Sequence, residues 1–254
     1  LLSGLGDGFS PDLQAALGTL PGITSIGMAA LMPTGDGENE IAVASNGKLG
    51  LRIGDRVLQT RQDRIEWLED QAGVETYSAH LRDLFPAPAR RVRKGIEDAD
   101  LVVVTSQEID EVCEGGNVGL ARTMMGQLLR KLSRGLRILA ELGVERIVIA
   151  ADHGYLFLDE LSSDMKVDPP GGETIELHRR VWVGRGGSSD ESFVRTSLAG
   201  LGMGSDMDVA VPRGFACFKV AGGGTAYFHG GVSLPESVIP VAVLKAAQIG
   251  RAHV

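Results

Sequence analysis

The sequence is poor in cysteine: Cys113 and Cys217 are its only two among 254 residues. Two thiols cannot build a disulfide framework, which favours a reducing, cytoplasmic setting. Long apolar runs are missing as well. No stretch approaches the length of a membrane span, and the first residues carry no basic-then-apolar signal pattern, so no membrane role is expected. Positive charge is outnumbered, with 25 Lys and Arg against 33 Asp and Glu and a net charge of −8. That balance opposes autonomous, phosphate-driven binding to nucleic acid, although it leaves room for a local basic patch. The densest basic cluster is Arg90, Arg91, Arg93 and Lys94, with Arg179, Arg180 and Arg185 second. A solvated surface is the ordinary role for both. Internal repeats and low-complexity tracts are absent too. What remains, 43% hydrophobic and 23% charged residues, is ordinary for a folded domain, and the length suits one large α/β domain or two small ones.

The chain begins at Leu1 rather than methionine, within what reads as a loop. Residues 249–254 (IGRAHV) look like translated sequencing-adaptor sequence, so they and His253 are set aside as a sequencing artefact. A fragment of a longer protein is expected, with one domain over residues 1–248.

Residues 9–20 space their apolar positions as in a helix that stops before Pro21. A second helix is expected to start at about Thr24 or Ser25 and to end by Pro33. Short strands are predicted at 41–45, 49–53 and 56–59, broken by the hairpin dipeptides Asn46-Gly47 and Gly54-Asp55. Arg61 to Gln71 reads as a polar-faced helix. Leu101 to Val104 reads as a buried strand, and Ile147 to Ala151 as another. Between them Ala121, Met125, Leu128, Leu132, Leu136 and Leu139 share one face of a long helix. Strand, helix, strand at this spacing predicts a right-handed crossover unit of a parallel sheet. Residues 162–173 and 184–192, rich in Gly, Ser, Asp and Pro, flank a strand-like run at 175–183. They suggest an inserted cap over about 162–210, after which apolar runs resume at 215–218, 227–228 and 238–244.

Several short motifs carry chemistry. The apolar run Ile147 to Ala151 ends in Asp152-His153-Gly154, and the mouth of a sheet at a strand's carboxyl end is where ligands bind. A neighbouring carboxylate and imidazole supply one oxygen and one nitrogen ligand, the start of a zinc or manganese site. Taken alone, the tripeptide is equally an ordinary turn. Thr24 and Ser25 place a hydroxyl at a helix N-terminus, fit to hold a phosphate or simply to act as an N-cap. Ile109-Asp110-Glu111 and Glu114 follow the strand at 101–104, as ligands or as a solvated acidic loop. His229-Gly230-Gly231 repeats an apolar run ending in His-Gly, and a loop histidine would look the same.

In their order, ITSIGMAALMP at 23–33, Ile109-Asp110, ADHGYLF at 151–157 and YFHGGVSLPE at 227–236 followed by Val238-Ile239-Pro240-Val241 resemble the PglZ domain family, a branch of the alkaline phosphatase superfamily. The resemblance runs from about Phe9 to Gln248 and is weakest in the cap. It implies an α/β fold, a three-layer α/β/α arrangement with a mainly parallel sheet. By the same resemblance Thr24 is the metal-bound nucleophile, Asp152 and His153 ligate that metal, and Asp110 and His229 ligate a second. Glu114 stands where relatives place a further ligand. Two zinc or manganese ions are implied as cofactors. The superfamily's first metal-binding aspartate lies on a strand ahead of the nucleophile. Asp7 and Asp12 precede Thr24, but neither follows an apolar run, so neither is assigned and that strand is expected upstream of Leu1.

The function implied is a metal-dependent phosphohydrolase or phosphodiesterase of a bacterial phage-defence system of BREX or Pgl type. It would act in the cytoplasm on a phosphoester substrate such as nucleic acid, beside other phage-defence proteins. The alternative is a catalytically inactive interaction module within a defence complex, which the acidic charge favours. A phosphoglycerate-mutase-like or sulfatase-like enzyme fits less well, because Cys113 and Cys217 lack the sulfatase modification context.

Overall fold

Asn46-Gly47 and Gly54-Asp55 are turn dipeptides, and the chain reverses at both, with Gly47 and Gly54 at φ of 79° and 60°. Only glycine takes such angles without a steric penalty. In the computed structural model, which describes all residues except 2–4, 6–7, 35–38, 115–117, 159–160, 222–226 and 248–254 and only the backbone of 114 and 118–121, these turns link Glu40–Val43, Leu49–Ile53 and Arg56–Leu58 into an antiparallel sheet. The expected hairpins are therefore present within a residue or two. So are the helices Thr24–Ala30, Arg61–Ala72 and Val118–Glu141.

By its contacts the chain sorts into two compact units, each assembled from separate stretches. The first takes residues 1–14, 69–150 and 240–254. There Thr76–His80 pairs in parallel with Leu101–Thr105 through the helix Arg90–Asp98, a crossover of the kind parallel pairing requires. The helices Glu108–Glu114 and Val118–Glu141 follow. Arg146–Ala150 then pairs antiparallel with Val238–Ala246, whose other neighbour is Phe9–Leu17. Phe9, Leu81, Leu84, Ile96, Leu136, Leu139, Ile147 and Leu244 share one core cluster. Arg90, Arg91, Arg93 and Lys94 lie exposed on their helix, as expected.

The second unit takes residues 15–68 and 151–239. Its larger sheet orders Glu173–Leu177, Trp182–Arg185, Asp208–Pro212 and Phe193–Ser197, antiparallel throughout. Alternation divides the sheet between two cores, as a strand with period two must. Val181, Val183, Val209 and Val211 pack with Ile26, Leu49, Leu51 and Leu58. Trp182, Phe193 and Ala210 pack with Phe218 in a second cluster. Two shorter ladders complete the unit, Leu156–Phe157 with Tyr227–Phe228 and Lys166–Val167 with Cys217–Phe218. No helix among the described residues is long and apolar enough to cross a membrane.

Three expectations need correction. The protein is α/β, but among the described residues the sheets are small and mostly antiparallel, not one mainly parallel sheet. The strand Arg146–Ala150 shows why. Ile147 is buried while Val148 is 58% exposed, so only one face is covered, which an antiparallel sheet tolerates and a doubly covered parallel sheet does not. Next, residues 9–20 are not helical: Phe9–Leu17 is a strand, largely exposed, at the edge of its sheet. An edge position accommodates Pro11, which has no N–H for a second ladder. Finally, Arg180 is not a solvated cation, being 1% exposed.

Candidate functional site

Residues 23–30 explain the first piece of the site. Ile23 is the N-cap, in extended conformation with no side-chain cap, so Thr24 is the first helical residue and its hydroxyl is not used as a cap. Instead Thr24 Oγ1 lies 3.3 Å from His153 Nε2, across 129 positions of sequence. The amides of Ile26 and Gly27 both donate to Ile23 O, at 3.0 and 2.9 Å. The expected phosphate-holding role of this helix start does not fall to those two amides. Gly27 is buried in mid-helix, and a Cβ built there would stand 2.6 Å from Asp152 O and 3.0 Å from Asp152 Cβ. The missing side chain is what lets Asp152 lie against the helix.

Asp152 and His153 come directly after the strand Arg146–Ala150 in sequence. His153 Nε2 is 3.3 Å from Asp152 Oδ2, with the imidazole 4% and the carboxylate 15% exposed. His153 Nδ1 is 3.0 Å from Gly154 O. A carbonyl can only accept, so Nδ1 carries the proton and a neutral ring presents a bare Nε2. His229 is set the same way, with Nδ1 2.9 Å from Gly22 O. The two imidazoles are stacked, centroids 4.0 Å apart and planes 2° off parallel. His178 stands further out, 6.4 Å from His229, with Nε2 2.9 Å from Glu176 Oε1. That hydrogen bond, against the opposing effect of burial, holds the Glu176 carboxyl below its ordinary value.

Asp152 Oδ2 and the bare Nε2 of His153 are both acceptors, and two acceptors at 3.3 Å repel unless a proton or a cation lies with them. Thr24 Oγ1 adds a third donor atom to the set. One carboxylate oxygen, one imidazole nitrogen and one hydroxyl are the ligand chemistry of a divalent zinc or manganese ion. The residues thus fit such an ion in kind. Among the described residues no group of three His, Cys, Asp or Glu side chains is arranged to hold one.

Thr24, Asp152, His153 and His229 are therefore brought together, all within the second unit. Asp110 is half-buried on the helix Glu108–Glu114 of the first unit. The side chain of Glu114, Asp7 and the tail 249–254 with His253 lie outside the described residues.

Three residues around the site were not read from sequence as functional. Arg64 is 7% exposed, and burial draws its guanidinium below the ordinary value against the opposing charges of Asp152 and Asp63. Arg180 and Glu236 form a buried pair, Nη2 to Oε2 at 2.8 Å. A signal for Glu236 was present in Ser233-Leu234-Pro235-Glu236, a capping box with proline in the first turn. The box is formed, around the short helix Leu234–Ser237.

The sequence matches the family described as "BREX system PglZ alkaline phosphatase-like domain" over residues 5–244. It is 28% identical over 253 residues to an alkaline phosphatase-like protein, BrxZ, of Escherichia coli O9:H4 (strain HS), covering 94% of this chain and 28% of that protein. A second relative is the alkaline phosphatase-like protein PglZ of Bacillus cereus (strain H3081.97), 27% identical over 242 residues, covering 93% of this chain and 27% of that one. The chain thus spans little more than a quarter of the length of these relatives. In three dimensions it resembles the crystal structure of phosphonoacetate hydrolase from Sinorhizobium meliloti 1021 in complex with phosphonoacetate. The TM-score is 0.55 at 12% identity, over 95% of this chain and 83% of that one. The complex of the same hydrolase with phosphonoformate gives 0.53 at 13% identity, with the same coverage. At such identity the likeness is one of fold.

Proposed function

The chain belongs to the PglZ family of alkaline phosphatase-like domains, and from that premise we propose that it is the hydrolytic domain of a phage-defence protein, cleaving phosphoesters with a divalent metal. The observation that carries this reading is the contact of Thr24 Oγ1 with His153 Nε2 at 3.3 Å, beside Asp152. Asp152 and His153 would hold the ion, and His229, stacked on the His153 imidazole, lines the same site. When bound, a divalent ion supplies positive charge that makes a hydroxyl or water nucleophilic near neutral pH and offsets the charge of the phosphate.

The rest falls to side chains. Thr24 presents its hydroxyl to phosphorus as the attacking group, or as the contact that orients an attacking water. The hydrogen bonds of His153 Nδ1 to Gly154 O and of His229 Nδ1 to Gly22 O fix each ring's tautomer and rotation, the supporting role that such bonds commonly play around metal ligands. Buried Arg64 lies within reach of the charge of Asp152. The two free cysteines, both buried, suit work in a reducing cytoplasm. Other phage-defence proteins are the proposed partners, since the matching family is described as a BREX system domain.

The test is turnover of bis(p-nitrophenyl) phosphate by the full-length protein, with and without added Zn²⁺ or Mn²⁺. Metal-dependent turnover is expected, lost on chelation and reduced far more than about tenfold in His153→Ala, since both metal affinity and activation go with the ligand. Thr24→Ala should be nearly as severe if threonine attacks, and milder if water does. Metal-independent turnover, or full activity in His153→Ala, sinks the mechanism. No turnover on any phosphoester, with metal supplied, favours a non-catalytic interaction module instead.

A further inference from the structure

Arg180 and Glu236 are the most fully buried charged pair described, at 1% and 0% side-chain exposure. Their contact is bidentate, Nε to Oε1 at 3.0 Å and Nη2 to Oε2 at 2.8 Å. Arg180 Nη1 also donates to Ala216 O. Burying such a pair is expensive, and well-packed apolar side chains of similar volume are often as stable or more so. Stability alone therefore gives no reason for it. The remaining contacts of Glu236 do. Its Oε1 accepts from Gly231 N at 3.0 Å, and its Oε2 accepts from Ser233 Oγ at 2.6 Å and Ser233 N at 3.3 Å. Its backbone oxygen accepts from Gly154 N at 2.9 Å, and the preceding Pro235 O accepts from Tyr155 N at 2.9 Å. Ser237 O accepts from Gly18 N at 2.7 Å.

One short turn thus ties together all three chain segments of the site. Gly154 follows His153, Gly231 lies two residues after His229, and Gly18 lies on the approach to Thr24. A carboxylate is suited to the centre of this turn because every neighbour of its two oxygens is a donor, and ionised Glu is acceptor-only. Arg180 supplies the countercharge that lets it stay ionised while buried.

We propose that the Arg180–Glu236 pair is a positioning device that sets the spacing of His153 and His229 for the phosphoester chemistry, an inference that rests on the hydrolase reading above. Neither residue touches the reacting atoms. Each acts through the loop it holds, so loss of the pair misplaces two aligned imidazoles rather than removing a ligand.

The test compares the full-length wild type with Glu236→Gln and with the double variant R180M/E236M, using bis(p-nitrophenyl) phosphate and Zn²⁺. Glu236→Gln keeps the shape but turns one acceptor into a donor facing donors. The double variant removes both charges. In both, kcat per folded molecule should fall by about tenfold to a hundredfold, because a displacement of about 1 Å can cost about 10²-fold. KM should stay near the wild-type value; because loss of folded protein would also lower apparent kcat at constant KM, the comparison rests on kcat normalised to folded protein. Unchanged kcat per folded molecule in both variants overturns the inference.

If neither variant folds, native-state hydrogen exchange of the wild type decides. Amides of Gly154 and Gly231 that open only with global unfolding support a rigid positioning turn, and fast local exchange at either overturns it. The two failures are separable. Absence of metal-dependent turnover in the wild type, or full turnover in His153→Ala, defeats the hydrolase reading and with it the purpose assigned to the pair. Wild-type turnover with unaltered variants defeats the positioning inference alone.

Discussion

Thr24 Oγ1 and Asp152 Oδ2 each approach His153 Nε2 at 3.3 Å, and what permits this is partly an atom that is missing. Gly27 occupies a helix interior, where alanine would be more favourable by about 0.8–1.0 kcal/mol. Yet a Cβ there would meet Asp152 O at 2.6 Å, and that obstacle is backbone, which cannot swing away. Overpacking of this kind costs about 1–3 kcal/mol, so the clash outweighs the helix gain. Gly27→Ala is expected to be less stable than wild type in urea denaturation, and to lose activity beyond its loss of folded protein. A stabilised Gly27→Ala would mean that Asp152 does not lie against this helix. Gly154 is under a similar constraint, because a Cβ there would collide with Pro235 O.

Among the elements, the strand Arg146–Ala150 separates what periodicity reveals from what it hides. Read from sequence, Ile147 to Ala151 is a uniformly apolar run that predicts cover on both faces. In the structure Ile147 is 8% and Val148 58% exposed. Ile147→Ala is therefore expected to cost about 2–5 kcal/mol, as core truncations do. Val148→Thr should stay within about 0.5 kcal/mol, as surface changes do. Thermal or urea unfolding of the pair checks this, and equal losses would restore the doubly covered strand. Hairpins, the helix Arg61–Ala72 and the long helix Val118–Glu141 were legible because their signals are local: turn dipeptides and helical spacing. Phe9–Leu17 was not, since an exposed edge strand has no buried face to impose alternation, and its partner Val238–Ala246 lies more than two hundred residues away. Arg180 was misread for a related reason. Its partner Glu236 is 56 residues on, and no window around Arg180 contains it. The meeting of Thr24, Asp152, His153 and His229 was anticipated from the order of motifs in a resembling family, not from spacing.

At the scale of the whole molecule, charge and fold bear on function differently. The family and the neighbouring structures concern the fold, whereas a net charge of −8 governs long-range attraction. Nucleic acid offered to this chain alone meets net repulsion, so the electrostatic share of non-specific affinity is lacking. Fluorescence anisotropy with a labelled DNA duplex at about 0.15 M salt should show binding no tighter than about 10⁻⁴ M, the weak end of non-specific association. Tight, steeply salt-dependent binding by this chain would contradict it. If nucleic acid is the substrate, delivery would then depend on other regions or partners.

The interleaving of the second unit has a consequence in time. One core cluster draws Ile23, Ile26, Leu49, Leu51, Ile53 and Leu58 from its first stretch and Val181, Val183, Leu198, Val209 and Val211 from its second. Between the two stretches lie residues 69–150, which belong to the other unit. On the ribosome the early half is made first and must wait. At about 5–20 residues per second, the hundred-odd residues from Leu58 to Val181 take roughly 6–25 seconds to be made. Throughout that delay the hairpin sheet packs only with Ile23, Ile26 and Trp67 of its own stretch and lacks the cover of the second, a span in which exposed strands are prone to aggregate. Thr24 meets His153 only across 129 positions, and Gly22 meets His229 only across 207. Under the proposed function, the nascent protein would carry Thr24 long before His153 and His229 exist to act with it.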